Sequence, residues 1–520
     1  MKNQQHPVVA SIDVGTNFIR MMIAQINPDQ KIVPLEDLYK PTRIGRDTFS
    51  HGRIEVDSIY ETCETLQGFV NTMKDYRVKH YCAVATSGMR EAQNCEYALE
   101  LIRLKTGLKI RQINNAEERF FLYKALRNNL PDVQRMRQEG FIIVNLGMGG
   151  VETSIYAQGS LKFTEYVMVG SLRLREILAD LERLTLDFPS IMEEFVESKF
   201  YLLNENIKQH QVKNFVGLGG DLSTLSNLFR RKKLTPDGRF IEKRALNKFY
   251  SEVRSKTTDE LIQEYRLHRN EAEIILPSLS ILSYFIHLTE AGGIHLPPVS
   301  LRHGLLEDQV DEWYDTSRKH DFINDIISSV RFLGKKFHID QPHSNQVEKL
   351  ALSIFDQTSR LHGLGGRERL YLQVAAILHD IGKYINLTHH DLHSYEIIQN
   401  QDLMGFSTRE LNLMANVSRY HSEQNPLMSH QSYHDMSETD RITVSKLAAV
   451  LRLADALDIS HQQKVEQVQV SFSGRELHLK VRSRDAVLLE EWNFGNRTGL
   501  FEEVMGYKPM LKLKSKPLVK

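Results

Sequence analysis

The stretch SIDVGTNFIRMMIA (residues 11–24) and the stretch VNLGMGGVETSIYA (residues 144–157) follow one pattern. Each consists of an apolar strand, a short loop of glycine and small polar residues, and a second strand. Glycine in such a loop lets backbone N–H groups approach a phosphate closely. The two stretches therefore predict two phosphate-binding loops, one in each half of an α/β region.

Strand and helix patterns around these loops extend the repeat. From residue 7 to about 116, strands alternate with helical stretches, which is typical of an α/β fold. After a helical stretch at 117–129, a new strand group begins at FIIVNLG (141–147), and a third glycine turn, NFVGLGGDLS, lies at 214–223. Two such halves would place their loops across one cleft, as in actin-like (ribonuclease H-like) ATPase folds. We expect a duplicated actin-like fold, with subdomain I at 1–129 and subdomain II at 130–308.

The chain changes character after residue 308. Segments such as QVEKLALSIFDQTSRLH (346–362) and YLQVAAILHDIGKYI (371–385) carry apolar residues at helical spacing. The stretch QVQVSFSGRELHLKV (467–481) alternates as strands do. We expect an all-α domain at 309–465 and a small C-terminal α+β segment at 466–520.

Composition limits the classes of partner. Lysine plus arginine equals aspartate plus glutamate, 66 each, so any polyanion site must be a local patch and no nucleic-acid partner is expected. Three clustered cysteines do not form a disulfide framework and favour a reducing compartment. There is no run of about 18 apolar residues. We expect a cytoplasmic protein with no membrane partner.

Several motifs together resemble the exopolyphosphatase / guanosine pentaphosphate phosphohydrolase (Ppx/GppA) family. Residues 13–20 match D-x-G-[ST]-N-[ST]-x-R, with Phe18 in place of a hydroxyl, and residues 86–92 match T-x-x-x-R-x-A. INNAEER (113–119) matches S-G-x-E-E-A, and residues 145–152 correspond to D-[IL]-G-G-G-S-T-E. VGSLRL, GLGGD and SLRHGLL continue the series in the family's order. The resemblance covers nearly the whole chain and supports the actin-like fold.

The resemblance implies a phosphoanhydride hydrolase and a role for each motif. Glu118 would be the catalytic base and Arg90 would hold the terminal phosphate; the alternatives are that Glu118 only begins a helix and that Arg90 forms a surface ion pair. Phosphate would be bound by Gly15, Thr16, Asn17, Arg20, Gly147, Met148, Gly149 and Gly219. Asp13, Asn145 and Glu152 would hold Mg²⁺, which needs only one or two carboxylates. For Asp13 the alternative is the cap of a tight turn.

The second loop departs from the family pattern. Asn145 stands where the family has an aspartate, which removes one negative charge, and Met148 adds bulk where the family has glycine. We expect weaker metal binding in the cleft and weak rather than absent turnover.

The helical part contains a second candidate centre. AAILHDIGKYI, with His379 beside Asp380, resembles the HD metal-dependent phosphohydrolase superfamily. That resemblance implies His343 and Asp455 as further ligands, with His393 and His421 available for a second metal. Imidazole and carboxylate ligands suit Mn²⁺, Fe or Zn²⁺. The alternative is a domain that only resembles this superfamily and extends a polyphosphate channel.

Three functions follow from these motifs. The first is release of terminal phosphate from inorganic polyphosphate. The second is hydrolysis of guanosine pentaphosphate or another nucleotide, in the same cleft or at the HD centre. The third is a module that senses polyphosphate or an alarmone, with weak catalysis. A homodimer is implied only by the resemblance.

Overall fold

The computed structural model of the chain describes residues 7–130, 132–182, 184–185, 187–236, 238–483 and 485–513. The chain divides into two compact units, residues 1–325 and residues 326–520. The division lies within one helix, α15, which spans Ser317–Lys336. Among the described residues, no helix has both the length and the apolar character needed to cross a membrane.

The first half of the first unit is built on one mixed sheet. Its strands are β1 Val8–Val14, β2 Phe18–Ile26, β3 Ile32–Pro41, β4 His80–Ala85 and β5 Arg111–Gln112, in the order β3-β2-β1-β4-β5. Its helices are α1 Ile44–His51, α2 Val56–Asp75, α3 Ser87–Arg90, α4 Cys95–Thr106 and α5 Asn115–Asn129. β1 is antiparallel to β2 and parallel to β4.

The second half repeats this arrangement. Its strands are β6 Phe141–Leu146, β7 Val151–Ala157, β8 Ser160–Val167, β9 Asn214–Leu218, β10 Phe240–Glu242 and β11 Gly293–His295, in the order β10-β11-β9-β6-β7-β8. β6 is antiparallel to β7 and parallel to β9. The order β8-β7-β6-β9-β11 therefore matches β3-β2-β1-β4-β5, which confirms the predicted α/β repeat.

Helices cover the second sheet and follow it to the end of the unit. They are α6 Val133–Glu139, α7 Ser171–Glu182, α8 Phe188–Phe200, α9 Asn204–Gln209, α10 Gly220–Arg231, α11 Lys243–Arg254, α12 Thr258–Tyr265, α13 Arg269–His287, α14 Leu301–Tyr314 and α15, with a 3₁₀ turn at Tyr201–Leu203. Because helices cover both faces, a central strand such as β1 is buried along almost its whole length.

The first unit extends beyond the boundary predicted at residue 308. Helix α14 packs on α5 and β1. Lys124, which is buried, forms ion pairs of 2.7 Å with Asp308 and 2.9 Å with Asp311. These contacts hold α14 to the first unit, so the division falls after Asp325.

The second unit is mainly helical. Its helices are α16 Gln341–Gln357, α17 Ser359–His362, α18 Gly366–Leu378, α19 His390–Gln399, α20 Thr408–Arg419, α21 Gln431–His434, α22 Glu438–Ala456, α23 Leu488–Arg497 and α24 Gly499–Met505, with a 3₁₀ turn at Ile381–Tyr384. Its strands are β12 Val465–Ser473, β13 Glu476–Ser483 and β14 Lys508–Leu513, in that order in one sheet. β12 packs on α16, so this sheet belongs to the same compact unit as the helices.

Candidate active site and candidate metal centre

The loop between β1 and β2 is a tight turn at the end of a buried strand. The Gly15 N–H donates to the Phe18 carbonyl oxygen at 3.1 Å, and a Cβ at Gly15 would lie 2.7 Å from that oxygen. The Thr16 hydroxyl accepts from the Gly88 N–H at 3.1 Å. The Arg20 guanidinium lies over the Phe18 ring, 5.0 Å from its centroid. Phe18 thus replaces the expected hydroxyl with a surface that positions Arg20.

Asp13, the next-to-last residue of β1, keeps a carboxylate oxygen free for a ligand. Its Oδ1 is buried with no protein hydrogen-bond partner among the described residues, and its Oδ2 lies 4.0 Å from Arg20. Burial raises the pKa of Asp13, although Arg20 and Arg302 oppose the increase. A buried acceptor without a donor is what a hydrated cation would satisfy. Asp13 therefore fits the predicted Mg²⁺ better than the role of a turn cap.

The loop between β6 and β7 is fixed by the N-terminus of α7. The Gly147 N–H donates to the Gly150 carbonyl at 3.0 Å. Arg173 donates its backbone N–H to the Met148 carbonyl at 3.0 Å and its Nε to the Gly149 carbonyl at 2.6 Å. Three consecutive positions of the loop are therefore held by hydrogen bonds and cannot move independently of α7.

The Met148 side chain acts mainly as an apolar anchor. It packs in a small cluster with Leu172, Ile274 and Phe49. The Met148 side chain, which was predicted to add bulk beside the phosphates, therefore lies largely in this apolar cluster, although it still forms part of the cavity wall.

The two adjacent glutamates at the start of α5 have different roles. The Glu117 N–H donates to Asn114 Oδ1 at 2.8 Å, and Glu117 Oε2 accepts from the Asn114 N–H at 3.2 Å, which forms a capping box. Glu117 also pairs with Arg111. Glu118 instead lines the cleft, with Oε2 3.9 Å from Arg90 Nη1. Glu117 therefore caps the start of the helix, whereas the carboxyl group of Glu118 lies in the cleft.

Burial sets the protonation of Glu118. Desolvation raises its pKa to about 7; Arg90 opposes this increase and Asp13 adds to it. A carboxyl group with a pKa near neutrality is suited to accept a proton from water.

Arg90 is held rigidly rather than exposed as a surface ion pair. Its Nη1 donates to the Ile113 carbonyl at 2.7 Å and its Nη2 donates to Asn115 Oδ1. Tyr166, which no sequence motif predicted, lies beside Arg90 and Glu118 in the same small cavity. Burial raises the pKa of Tyr166, so its hydroxyl remains a donor at neutral pH.

Both loops open onto one cavity of about 170 Å³, here called the phosphate cavity. The predicted residues that line it are Asp13, Gly15, Thr16, Asn17, Arg20, Glu118, Asn145, Gly147, Met148 and Gly219. A neighbouring cavity of about 20 Å³, here called the Glu118 cavity, is lined by Arg90, Glu118, Asn145 and Glu152 among others. Gly149 lines neither cavity, because it packs against Phe49 and Ser87. Ser87 and Arg302 line the phosphate cavity without having been predicted.

Glu152 does not offer the free carboxylate that the sequence predicted. It forms a buried ion pair with Arg119, which also donates to Thr164 Oγ1 at 3.0 Å. Asn145 lies directly opposite Glu152 in the β6–β7 register. Of the three predicted magnesium ligands, Asp13 is therefore the carboxylate best placed to serve.

The second unit brings histidines and carboxylates together in two adjoining groups. His343, His379 and Asp380 form the first group, and Asp380, His390 and His421 form the second; within each group the possible ligand atoms lie within 4.8 Å of one another. Asp455 Oδ1 lies 3.3 Å from His343 Nε2 and 3.6 Å from His379 Nε2. Asp380 belongs to both groups.

One predicted ligand lies outside the cluster. His393 faces Glu396, with 3.4 Å between Nδ1 and Oε2, and the position expected for it is taken by His390. The sequence HHDLHS holds three histidines within five residues, and which of them points inward depends on the start of α19 at His390.

All four clustered histidine rings are anchored through Nδ1. The Nδ1 partners are Asp458 Oδ2 for His343 at 2.9 Å, Ala376 O for His379 at 2.8 Å, Leu387 O for His390 at 3.1 Å and Ser418 O for His421 at 2.6 Å. An oxygen partner requires Nδ1 to be the donor, so the four Nε2 atoms are directed into the cluster.

Comparison with known proteins agrees with this geometry. The model of the Ppx/GppA phosphatase family matches residues 22–312, more than half of the chain, and the model of Ppx/GppA phosphatase domain III matches residues 327–494. A guanosine-5'-triphosphate,3'-diphosphate pyrophosphatase of Vibrio vulnificus is 23% identical over 487 residues, covering 93% of each chain.

Two solved structures share the fold of more than half of the chain. An exopolyphosphatase from Cytophaga hutchinsonii aligns with a TM-score of 0.53 at 18% identity, covering 59% of this chain and 98% of that one. An exopolyphosphatase-like protein aligns with a TM-score of 0.52 at 18% identity, covering 60% of this chain and 100% of that one. The predicted family is confirmed: the chain belongs to the Ppx/GppA phosphatase family, whose members are hydrolases of phosphoanhydride bonds.

Proposed function

We propose that the cleft of the first unit releases the terminal phosphate of a linear phosphate chain, carried by inorganic polyphosphate or by guanosine pentaphosphate. The observation that carries the proposal is Glu118. It is a carboxyl group with a pKa near 7, placed beside Arg90 in a cavity walled by two glycine loops. The named relatives act on one or the other carrier, and the phosphate-binding part of the site suits both.

Each residue has one part in the reaction. Glu118 accepts a proton from the attacking water, while Arg90 and the loop N–H groups take up charge on the phosphoryl oxygens. Asp13, through its unpartnered Oδ1, would hold a hydrated Mg²⁺, which would neutralise charge on the phosphates when bound. The anchored guanidinium of Arg90 needs little rearrangement to meet the terminal phosphate.

The test is phosphate release by Glu118→Gln. On long-chain polyphosphate and on guanosine pentaphosphate, the variant should lose at least about 100-fold in kcat/KM, the lower end of the range for a general base. Glu194→Gln, an exposed glutamate on α8, is the matched control. In the wild type, kcat/KM should rise with pH up to about 7, because the base must be deprotonated. Unchanged release by Glu118→Gln would overturn the assignment.

A sensing role with weak catalysis is the alternative raised by Asn145. The ion pair between Glu152 and Arg119 supports the sensing role, because it leaves fewer carboxylates in the cleft to bind a metal ion. Tight binding of guanosine tetraphosphate without turnover, and turnover gained by Asn145→Asp, would favour sensing over hydrolysis.

We further propose that the histidine cluster of the second unit binds a divalent transition metal, as an HD-type centre would. The supporting observation is the direction of the rings. With Nδ1 donating, His343 and His379 direct their Nε2 atoms toward each other at 3.3 Å, as do His390 and His421 at 3.3 Å. Two ligand atoms each about 2.1 Å from one ion lie about 3.0 to 3.4 Å apart. His343, His379, Asp380 and Asp455 would hold one ion, and His390 and His421 a second; Mn²⁺, Fe or Zn²⁺ suits them.

Metal analysis of the purified protein tests this centre. His379→Ala should remove at least one equivalent of bound metal, and His390→Ala should lower the content in the same way. His393→Ala is the matched control and should keep the wild-type content, since its ring lies outside the cluster. Equal metal content in all three variants would refute the ligand set. Loss of nucleotide or phosphoester hydrolysis in His379→Ala alone would assign a second activity to this unit.

A further inference from the structure

Tyr166 brings a hydroxyl group into the Glu118 cavity, beside Arg90 and Glu118. It lies near the end of β8, and no step of the reaction proposed for the cleft uses it. Resting on that proposed function, we propose that Tyr166 is a further catalytic residue. Its hydroxyl donates a hydrogen bond to an oxygen of the terminal phosphoryl group and replaces a hydroxyl that the loop between β6 and β7 lacks.

The loop between β6 and β7 lacks two hydroxyl groups of the family pattern. Gly150 and Val151 stand where D-[IL]-G-G-G-S-T-E has serine and threonine. Val151 is buried in the hydrophobic core of the second half, so a side chain at that position packs away from the site. Gly150, in contrast, lines the Glu118 cavity. The missing hydroxyl that matters to this cavity is therefore the one at position 150.

The Tyr166 hydroxyl occupies the space that a side chain at position 150 would fill. A Cβ added at Gly150 would lie 2.3 Å from Tyr166 Oη and 2.4 Å from Tyr166 Cζ, and its three nearest atoms all belong to Tyr166. Gly150 is not among the described glycines with positive φ, so its backbone conformation is open to serine. The tyrosine ring therefore requires glycine at position 150, and the two positions provide one hydroxyl between them.

Strand pairing sets the direction of the Tyr166 side chain. Tyr166 lies opposite Glu152 in the β7–β8 register, and Glu152 lies opposite Asn145 in the β6–β7 register. Residues directly opposite each other on antiparallel strands point to the same face of the sheet. All three line the Glu118 cavity. The sheet, rather than a loop, therefore positions the Tyr166 hydroxyl, and residues on strands are held more precisely than residues on loops.

The Tyr166 hydroxyl is available to a ligand. Its Oη takes part in no hydrogen bond within the part of the chain that the structure describes. Burial raises the pKa of Tyr166, an effect that Arg90 opposes and Glu118 reinforces, so the hydroxyl keeps its proton at neutral pH. Ionised carboxylates such as Glu152 can only accept hydrogen bonds. Tyr166 therefore adds a neutral donor beside the cationic donor Arg90.

A donor at this place acts on the charge of the reacting phosphate. During phosphoryl transfer, negative charge is spread over the three equatorial oxygens of the transferred group. Glu118 accepts the proton of the attacking water, while Tyr166 and Arg90 donate hydrogen bonds to those oxygens. Tyr166 keeps its own proton throughout. A donor held in place before the reaction stabilises the transition state without rearranging, so removal of the hydroxyl should lower kcat more than it raises KM.

The first test removes the hydroxyl alone. Tyr166→Phe keeps the ring beside Gly150, so its Tm should stay within about 2 °C of the wild type. Its kcat for phosphate release from long-chain polyphosphate and from guanosine pentaphosphate should fall at least about 10-fold. Tyr97→Phe, which changes an exposed tyrosine on α4, is the matched control and should keep the wild-type kcat. A Tyr166→Phe variant with kcat within about 2-fold of the wild type would overturn the proposal.

The second test exchanges the hydroxyl between the two positions. Gly150→Ser alone should lower kcat at least about 10-fold, because its Cβ would overlap Tyr166. Tyr166→Ala should also lower kcat, because it removes the hydroxyl. The double variant has room for the serine and regains a hydroxyl in the cavity, so its kcat should exceed that of either single variant at least about 5-fold. A double variant no more active than Tyr166→Ala would refute the replacement of one hydroxyl by the other.

The role of Tyr166 and the function of the cleft can fail separately. If Glu118→Gln loses phosphate release and Tyr166→Phe keeps it, the function of the cleft stands and Tyr166 only packs against the loop. If the wild type hydrolyses neither substrate, the proposed function fails, and equilibrium dialysis of tripolyphosphate decides the role of Tyr166. Binding weakened at least about 5-fold by Tyr166→Phe, but not by Tyr97→Phe, would support a contact between the hydroxyl and phosphate. Equal binding by all three proteins would refute it.

Discussion

Glu118→Gln is expected to stabilise the first unit while it abolishes turnover, and the gain should depend on pH. Burial moves the pKa of Glu118 from 4.5 to about 7 in the folded protein. This shift, at about 1.4 kcal/mol per pKa unit, corresponds to about 3 kcal/mol. Since the folded state resists ionisation, the free energy of unfolding falls as pH rises from about 4.5 to about 7 and is level above that range. Glutamine is neutral throughout and lacks this penalty.

The magnitude is an upper limit. The Glu118 side chain is 24% exposed, so water screens part of the effect, and Arg90 loses its charged neighbour in the variant. The stabilisation should therefore be at most about 3 kcal/mol at pH 8 and about 1 kcal/mol at pH 5. The sign and the direction of the pH dependence are the decisive part of the expectation.

Tryptophan fluorescence can follow the first unit alone. The chain has two tryptophans, and Trp492 of the second unit is exposed, so a Trp492→Phe background leaves Trp313 as the reporter. For a unit spanning residues 1–325, 1 kcal/mol moves Tm by about 1.5 °C. Glu118→Gln should then melt at a higher temperature than its parent, by up to about 4.5 °C at pH 8 and up to about 1.5 °C at pH 5. Glu194→Gln should match the parent at both values. A variant that is no more stable at pH 8 than at pH 5 would refute the burial argument.

Three further changes test the second loop and its surroundings. Gly170→Ala would place a Cβ 2.2 Å from a carbonyl oxygen of the loop, so kcat/KM for phosphate release should fall at least about 100-fold. A Cβ at Gly68 would have no neighbour within 4 Å, so Gly68→Ala should leave kcat/KM unchanged in the same assay. Arg119→Met should lower the free energy of unfolding by about 3 to 5 kcal/mol, because it removes the ion-pair partner of the buried Glu152. Adding Glu152→Gln should restore most of that free energy in denaturant titrations. A double variant that is no more stable than Arg119→Met would contradict the ion-pair account. Asn145→Asp should lower the Mg²⁺ concentration for half-maximal phosphate release at least 10-fold, and an unchanged requirement would show that residue 145 does not sense the metal.

The repeat of the fold was predictable because its signal is local. Each half begins with a buried strand, a glycine turn and a second strand, and residues 11–24 and 144–157 show this without any tertiary information. The end of the first unit was not predictable in this way. The α14 sequence has the pattern of one more helix before a helical domain. Only its tertiary contacts, which include its packing on α5 and β1 and the ion pairs of Lys124 with Asp308 and Asp311, assign it to the first unit.

The site shows the same limit at the level of single side chains. Sequence placed Glu118 and Arg90 at the cleft, and the structure brings them within 3.9 Å of each other. The ion pair between Glu152 and Arg119 could not be predicted from the sequence, because the two residues lie on different elements and neither motif indicates that they pair. The choice of His390 over His393 likewise depends on where a helix begins, which periodicity fixes only within a few residues.

The amide at position 145, in place of a carboxylate, can be explained by the negative charge of the phosphate chain that the cleft is proposed to bind. Two like charges about 5 Å apart, at an effective dielectric constant of about 20, repel each other by about 3 kcal/mol. An aspartate at position 145 would therefore weaken phosphate binding unless a metal ion neutralised its charge. The other carboxylates near the loops avoid that repulsion in different ways: Glu152 is neutralised by Arg119, and burial raises the pKa values of Asp13 and Glu118. A cleft arranged in this way would bind a phosphate chain with little help from metal and would gain from Mg²⁺ mainly at Asp13. Asn145 would therefore favour binding of the chain over metal-assisted cleavage.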